Sequence, residues 1–233
     1  MKKTLLFDFG GTLDTNGIHW SEKFWEVYQE YKVPIRKFDF ETAFVKTNNS
    51  VNKLIMSNDN LNTTLKKEIE SQFNYLILNG ILTKFDANNL SDFIIDKCLN
   101  DAKSNLSKSR ELLKRLKKNY KVGIVSNYYG NLKTVLKEEL ISEFVDCIID
   151  SKVENVYKPN PEIFLLAITR LNAKPDETFV VGDSYSRDIV PSKNLGCKTI
   201  WLDVKSYTKT ENTICADYIV KSLYDIEKIV NNK

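Results

Sequence analysis

The chain is poor in the residues that build zinc sites and disulfide frameworks. It has a single histidine, His19, and its four cysteines are scattered without the paired spacing of metal ligands. We therefore expect no zinc site, and we expect reduced, mostly buried thiols in a cytoplasmic protein. The four cysteines are Cys98, Cys147, Cys197 and Cys215.

Long apolar runs are also missing. The first residues imitate a secretory signal, because Lys2 and Lys3 precede the apolar run Leu5–Phe7, but Asp8 ends that run far short of a signal core. No other run approaches the length needed to cross a bilayer. The sequence therefore predicts neither export nor contact with a membrane.

Charge of one sign is not in large excess. The net charge is +3 over 233 residues, and the lysines are spread along the chain instead of forming one basic block. This distribution argues against nucleic-acid binding, so any attraction for phosphate should be local to a site. The 42% hydrophobic content is ordinary for a globular protein with a sizeable core.

The most informative segment that is present is Thr4–Asp14. It is an apolar run that ends at Asp8 and breaks at once into Gly10 and Gly11. A carboxylate at the end of a strand projects from the sheet edge, and glycine backbone can approach a phosphate or a metal closely. The segment therefore predicts a buried strand that delivers a nucleophile to a tight loop.

Three later segments also place polar residues after predicted strands or in loops. They are Val122–Asn127, Tyr157–Phe164 and Phe179–Ile189. From Ser107 onward, predicted helices alternate with continuously apolar strands, which indicates a parallel sheet covered by helices on both faces. We predict an α/β fold with a Rossmann-like core. Ligands of such sheets bind beyond the carboxyl ends of the strands, so the polar residues should converge there.

Between Thr4–Asp14 and Val122–Asn127, the periodicity is helical and no strand pattern stands out. We expect Ser21 to cap a first helix, and we expect further helices at Leu61–Leu78, Leu90–Leu99 and Arg110–Lys118. The prediction is a Rossmann-like core formed by residues 1–15 and 105–233, with residues 16–104 inserted as a helical cap.

In their order and separation, the four segments resemble the signature of the haloacid dehalogenase-like hydrolase superfamily. Most members are magnesium-dependent phosphatases with an aspartate nucleophile. The most specific parts are Lys-Pro-x-Pro-x-Ile-Phe at Lys158–Phe164 and Gly-Asp-Ser at Gly182–Ser184, followed by Asp188. The resemblance spans nearly the whole chain. It implies a hydrolase that acts on a small phosphorylated metabolite, with a cap that selects the substrate and excludes water.

The resemblance assigns the catalytic chemistry to three residues. It implies that Asp8 attacks phosphorus to form an aspartyl-phosphate, that Lys158 neutralises charge on Asp8 and the phosphoryl group, and that Ser126 donates a hydrogen bond to the phosphoryl oxygens. The residues predicted to bind the substrate are Gly10, Gly11, Thr12, His19 and Asn127.

The resemblance also implies a Mg²⁺ ion. Two anions must meet in the reaction, and a hard divalent cation offsets their repulsion. Its expected ligands are Asp8, the backbone carbonyl of Gly10, and Asp183. Asp188 would assist through water or orient the lysine.

Gly10 departs from the phosphatase pattern, which has at this position an aspartate that protonates the leaving group. General acid–base catalysis is typically worth about 10²- to 10⁴-fold. We therefore expect slow reaction of alkyl phosphates and a smaller loss for esters with good leaving groups. His19 or Asp14 could replace the acid. Alternatively, His19 is a hinge residue near Trp20, and Asp14 caps a turn.

The missing acid leaves other reactions open, because dehalogenase and phosphonoacetaldehyde hydrolase branches lack it too. Gly182, Asp183 and Asp188 favour metal and phosphorus chemistry. Cleavage of a phosphonate needs a cap lysine that forms a Schiff base. The candidates by location are Lys23, Lys32, Lys46 and Lys53.

A further alternative is a phosphate-binding protein of low activity that has lost its acid. Trp20, Trp25 and Tyr28 could stack on a substrate, although their helical spacing is more typical of a core. The sequence specifies neither the substrate nor the oligomeric state.

Overall fold

The computed structural model describes residues 2–205 and 216–231. Within these ranges, six parallel strands form one sheet. The strands are β1 (Thr4–Phe7), β2 (Lys121–Ser126), β3 (Cys147–Asp150), β4 (Thr178–Gly182), β5 (Lys198–Leu202) and β6 (Tyr218–Val220). Their order in the sheet is β3-β2-β1-β4-β5-β6. The α/β fold class and the Rossmann-like core are confirmed.

Helices account for most of the remaining described chain. Four of them, α1 (Trp20–Glu30), α2 (Lys37–Leu54), α3 (Leu61–Leu78) and α4 (Lys84–Leu116), follow β1 before β2 begins. The later helices are α5 (Leu132–Glu138), α6 (Ser151–Glu154), α7 (Glu162–Arg170), α8 (Val190–Asn194) and α9 (Ile226–Asn231).

The central strand β1 is apolar on both faces because it is covered on both. All four of its residues are buried, and it lies between β2 and β4. Successive strand residues point to opposite faces. Leu5 and Phe7 accordingly join one apolar cluster, which includes residues of α1 to α4, whereas Leu6 joins a second cluster that contains residues of α7.

Two helix predictions were wrong in their bounds. The helix expected at Leu90–Leu99 and most of the one expected at Arg110–Lys118 belong to one continuous helix, α4, which is 33 residues long and ends at Leu116. It contains no proline or glycine to end it, and its buried residues recur at helical spacing from Ala87 to Leu116. The predicted division between core and cap at residues 104 and 105 falls inside α4. That division stays a prediction.

The start of α1 also differs from the prediction. His19, not Ser21, is the capping residue, because its backbone is still non-helical and its Nδ1 accepts a hydrogen bond from the Ser21 N–H at 3.2 Å. Ser21 lies inside the helix and is buried. The helix α2 was not predicted, since its apolar stripe is narrow.

The aromatic side chains of α1 divide between the core and a cavity. Tyr28 is fully buried and Trp25 packs against the apolar cluster, as their spacing indicated, whereas Trp20 reaches the cavity described below. Cys98, Cys147 and Cys197 are buried free thiols, as predicted, while Cys215 lies outside the described residues. Across the described ranges, no helix is both long enough and apolar enough to span a bilayer.

Candidate active site

The polar residues of the four sequence segments meet at the carboxyl edge of the sheet. Asp8 follows β1, Ser126 ends β2, and Asp183 follows β4, so three adjacent strands each deliver one of them. Lys158 joins them from the loop that precedes α7, and Asp188 from the turn after β4. The convergence predicted from parallel strand ends is therefore present.

Asp8 is held by residues from three parts of the chain. Its Oδ1 accepts hydrogen bonds from Lys158 Nζ at 2.7 Å and from Ser126 Oγ at 3.0 Å. Thr12 Oγ1 lies 3.3 Å from its Oδ2. The Asp8 N–H donates to the Val181 carbonyl at 2.9 Å, which continues the strand pairing up to the carboxylate. The position of the carboxylate is thus set by the sheet itself.

Lys158 is buried between two carboxylates. Its Nζ donates to Asp188 Oδ1 at 2.5 Å as well as to Asp8. Burial lowers the pKa of Lys158, but the charges of Asp188 and Asp8 outweigh that effect and hold the pKa above its usual value. The side chain is therefore an ammonium that links the two acids.

Asn127 positions the backbone of this lysine. Its Nδ2 donates to the Lys158 carbonyl at 3.1 Å, and its Oδ1 accepts from the Lys158 N–H at 2.8 Å. The peptide between Lys158 and Pro159 is cis. The side-chain amide predicted to bind substrate is thus occupied by the protein, although Asn127 does line the cavity next to Asp8.

Asp8, Asp183 and Asp188 form a compact acidic triad. One oxygen from each lies within 4.8 Å of the others, and all three residues are buried. Thr12 Oγ1 lies 3.0 Å from Asp183 Oδ1 and accepts from the Asp183 N–H at 3.1 Å. The Ser184 N–H donates to Asp188 Oδ2 at 3.1 Å.

Burial and mutual repulsion perturb two of these acids. Burial raises the pKa of Asp183 well above its usual value, and the charges of Asp8 and Asp188 add to the effect. Burial likewise raises the pKa of Asp188 to about 6, although the attraction of Lys158 opposes it. The site therefore concentrates more negative charge than its ammonium balances.

Two glycines make room for the triad. Gly11 has a φ of +95°, and a Cβ there would lie 2.6 Å from the Asp183 carboxylate. A Cβ on Gly182 would lie 2.4 Å from Asp188. Both positions exclude a side chain, because the carboxylates occupy the space. The expected close approach of the Gly10 and Gly11 backbone to a phosphate or a metal stays a prediction.

The triad fits a hard divalent cation. Its donors are all carboxylate oxygens, which Mg²⁺ and similar ions prefer. Three carboxylates and one ammonium sum to a charge of −2 when all are ionised, and a divalent ion would neutralise that charge. Of the predicted ligands, the structure brings together Asp8, Asp183 and Asp188, with Gly10 two residues beyond Asp8 on the same loop.

The comparison with protein families agrees with this geometry. Residues 2–196 match the family model of the haloacid dehalogenase-like hydrolases. The chain belongs to this family. Over 130 residues it is 34% identical to glyceraldehyde 3-phosphate phosphatase from Pyrococcus furiosus, a match that covers 54% of each protein. The chain thus spans about half the length of this relative.

Solved structures of the haloacid dehalogenase-like family share the fold. A phosphatase of the family from Thermococcus onnurineus is 25% identical and covers 99% of both chains, with a TM-score of 0.56. L-2-haloacid dehalogenase from Xanthobacter autotrophicus is 16% identical over 99% of both chains, with a TM-score of 0.59. At the latter identity, the likeness shows the fold alone.

At Gly10, where the phosphatase pattern has an acid, an indole lies close by. A Cβ on Gly10 would be 3.7 Å from Trp20. The Trp20 Nε1–H donates to Asp14 Oδ2 at 2.7 Å, and Asp14 Oδ1 accepts from the Gly11 N–H at 2.7 Å. Burial raises the pKa of Asp14 to about 7, although both hydrogen bonds oppose the rise. Asp14 therefore has a role in holding the loop and the indole.

His19 lines the cavity but is a poor proton donor. Its Nδ1 is occupied as the helix cap, and its ring packs edge-on against Phe44 with centroids 6.4 Å apart. Burial, and next the positive charge of Arg187, lower the pKa of His19 to about 4. The ring is therefore neutral at pH 7, which disfavours His19 as the replacement for the missing acid.

The site opens into a cavity of about 510 Å³. One side is the strand edge with its charged residues. The other side comes from helices α2 and α3, with apolar residues and a few polar ones: Phe44, Val45, Asn48, Asn52, Leu61, Thr64, Leu65 and Glu68. None of the four lysines considered for a Schiff base, at positions 23, 32, 46 and 53, lines it.

Several lining residues were missed by sequence reasoning. Tyr128 and Tyr129 directly follow Asn127, and Arg187 directly precedes Asp188. Their position beside a predicted site residue could therefore have identified them. Glu68 offered no such signal, because an isolated acid on an amphipathic helix usually faces solvent.

Proposed function

We propose that the protein is a magnesium-dependent phosphatase that acts on a small phosphorylated metabolite through Asp8. The observation that carries the proposal is the buried group of Asp8, Lys158, Asp183 and Asp188 at the strand edge, which opens into a cavity of small-molecule size. The relative from Pyrococcus furiosus, a glyceraldehyde 3-phosphate phosphatase, supports phosphate esters as the substrate class.

The reaction proceeds in two displacements at phosphorus. Asp8 attacks the phosphorus, the bond to the leaving oxygen breaks, and an aspartyl-phosphate forms. Water then attacks the same phosphorus, inorganic phosphate leaves, and the Asp8 carboxylate is restored. Lys158 and the Ser126 hydroxyl donate hydrogen bonds where negative charge gathers on the phosphoryl oxygens.

Mg²⁺ held by Asp8, Asp183 and Asp188, with the Gly10 carbonyl, would supply charge neutralisation between nucleophile and phosphate. Asn127 keeps Lys158 in place through two hydrogen bonds to its backbone. Thr12 bridges the first loop to Asp183. Residues 16–104 act as the cap in this proposal, because α2 and α3 supply the far wall of the cavity and shield the site from water.

The other reactions have less support. A phosphonate hydrolase needs a lysine near the reacting carbon, and the four cap candidates do not line the cavity. A dehalogenase has no use for a carboxylate triad, which this chain retains. Gly10 has no acidic side chain, His19 is neutral, and both oxygens of Asp14 are bound by Trp20 and the Gly11 N–H, so we propose that the phosphatase favours esters with good leaving groups.

The test is phosphate release from p-nitrophenyl phosphate and from glycerol phosphate, with and without Mg²⁺. We expect magnesium-dependent release from the aryl ester, a rate at least about 10²-fold lower for the alkyl ester, and loss of both in Asp8→Asn. Activity that survives Asp8→Asn contradicts the assigned nucleophile. Phosphate binding without release in the wild type indicates the phosphate-binding protein instead.

The role of Gly10 has its own variant. Gly10→Asp restores the family acid at a position whose Cβ has room, and Gly10→Asn is the matched control of equal size. We expect the aspartate alone to raise the rate on glycerol phosphate, by about tenfold or more. Equal effects of both variants would show that another group already supplies the proton.

A further inference from the structure

Glu68 joins the helical wall of the cavity to the strand edge. It lies on α3, and its Oε1 accepts a hydrogen bond from the Tyr129 hydroxyl at 2.5 Å. Tyr129 belongs to the loop that follows β2, three residues beyond Ser126. Both side chains line the same cavity as Asp8. A carboxyl group of α3 thus lines the cavity into which Asp8 opens.

Within the part of the chain that the structure describes, no cation lies beside this carboxyl group. No ion pair of Glu68 occurs among the described residues, and its Oε2 accepts no hydrogen bond from them. Burial raises the pKa of Glu68 to about 7, while the Tyr129 hydrogen bond opposes the rise. Three other acids of the cavity are held differently, because Asp8 and Asp188 share Lys158, and Asp14 accepts two hydrogen bonds.

A second acceptor lies in the same wall. The side-chain Oδ1 of Asn52, which also lines the cavity, is buried and has no hydrogen-bond partner within residues 2–205 and 216–231. A buried acceptor without a donor costs stability unless a ligand or water supplies one. Two acceptors thus lie at the helical end of the cavity, both short of a donor.

The cations of the cavity are placed elsewhere. Lys158 is bound to Asp8 and Asp188. Arg187 acts on the pKa of His19, whereas no charged side chain contributes to the shift in the pKa of Glu68. Among the described residues, the cavity is therefore polarised, with Lys158 bound to Asp8, Arg187 close enough to His19 to act on its pKa, and a carboxyl group without a cation on α3.

We infer that Glu68 selects the leaving group, and that the preferred substrates are phosphate esters whose leaving group carries an ammonium or another strong hydrogen-bond donor. An ammonium placed against this carboxylate makes a charge-assisted hydrogen bond in a water-poor cavity. A leaving group that carries a carboxylate meets a like charge at the same place and is rejected. The inference rests on the proposed phosphatase function and deepens it.

The test uses three aryl phosphates with leaving groups of similar basicity: 4-(aminomethyl)phenyl, 4-(hydroxymethyl)phenyl and 4-(carboxymethyl)phenyl phosphate. For the wild type, we expect kcat/KM to fall in that order, with about tenfold or more between amine and carboxylate, mostly through KM. Glu68→Gln keeps the size and the Tyr129 hydrogen bond but removes the charge, so the order should collapse to within about threefold.

Tyr129→Phe is the matched control. It removes the hydroxyl that holds Glu68 but keeps the carboxyl group, so the preference for the amine should persist even if all three rates fall. Uniform slowing of all three esters by Glu68→Gln, or a wild type without preference for the amine, overturns the inference.

Failure of the inference is distinguishable from failure of the proposed function. Hydrolysis of p-nitrophenyl phosphate that depends on Asp8, without a preference among the three esters, contradicts the role of Glu68 alone. If the wild type releases no phosphate, the proposed function fails, and calorimetric binding of the same three esters decides the role of Glu68. Tighter binding of the amine that Glu68→Gln abolishes supports it, and equal binding overturns it.

Discussion

The two walls of the cavity are built in different ways. At the strand edge, Asp8, Lys158 and Asp188 are bound to one another, and each comes from a different segment of the chain. At the wall formed by α2 and α3, half of the lining residues are apolar, and among the described residues Glu68 has one hydrogen bond, to Tyr129. The strand edge therefore tolerates little displacement, whereas the helical wall can vary without disturbing the acidic triad.

This difference suggests a division of labour in the proposed function. Charged side chains that bind one another at strand ends are suited to the chemistry that all phosphate esters share. A sparsely bonded helical wall suits recognition of one particular leaving group. Changes at the strand edge should therefore lower kcat for every ester, and changes at the helical wall should alter KM for some esters.

The largest effect is expected for Lys158→Met. The variant removes the ammonium that neutralises Asp8 and the phosphoryl group, and it leaves Asp8 and Asp188 buried without their cation. We expect kcat to fall by about 10³-fold on aryl and alkyl esters alike, as measured by steady-state kinetics. Lys46→Met is the control, because this exposed lysine does not line the cavity. A loss confined to one ester would contradict a strand edge that serves every phosphate ester alike.

A smaller effect is expected for Gly182→Ala. The added methyl would lie 2.4 Å from Asp188, so the carboxylate must leave the position in which it binds Lys158. Displacement of a positioning group by about 1 Å can cost about 10²-fold, and we expect a loss of that order in kcat. Gly10→Ala is the matched control, since its methyl would only touch Trp20 at 3.7 Å. Equal losses in both variants would contradict a strand edge held to close tolerance.

The smallest effect concerns the stability of the fold and His19, which caps α1 and lines the cavity. Its pKa is about 4 in the folded protein, mainly through burial, against an ordinary value of 6.5. The unfolded chain therefore binds the proton more readily, so this contribution to stability is complete above pH 6.5 and is lost as the pH falls towards 4.

The matched variant is His19→Asn, which keeps a capping side chain but does not titrate. From pH 8 to pH 5, we expect the free energy of unfolding of the wild type to fall by about 2 kcal/mol more than that of the variant. Denaturant unfolding at both pH values measures the difference. If the free energy of unfolding falls equally in both proteins, the imidazole is solvated and His19 is not buried in the cavity wall.

The strand edge was predictable from the sequence, and the physical reason is local. The apolar run Leu5–Phe7 specifies a buried strand, Asp8 ends it, and parallel strands bring their carboxyl ends to one edge. The glycines at positions 11 and 182 also have a local cause, because a carboxylate fills the space that a side chain would need there. Asp183, Asp188 and Lys158 were therefore found together where the segments indicated.

The bounds of the helices were less predictable. Helical periodicity located the buried residues of α1 and α3, but it did not show that α4 runs without a break from Lys84 to Leu116. Whether a polar stretch interrupts a helix depends on the tertiary surface that covers its apolar positions. Packing of α4 against α1, α3 and the sheet core supplied that surface.

The fold class, the family and the charged residues of the strand edge were all predictable from the chain, because strand ends and glycines carry local signals. Contacts between distant parts of the chain could not be predicted in this way: Asn127 holds Lys158, Trp20 lies beside Gly10, and Glu68 faces the cavity with no cation beside it among the described residues. The positions of Trp20 and Glu68 depend on how α1 and α3 lie over the sheet. Their orientation arises from many weak packing contacts, none of which leaves a pattern in the chain.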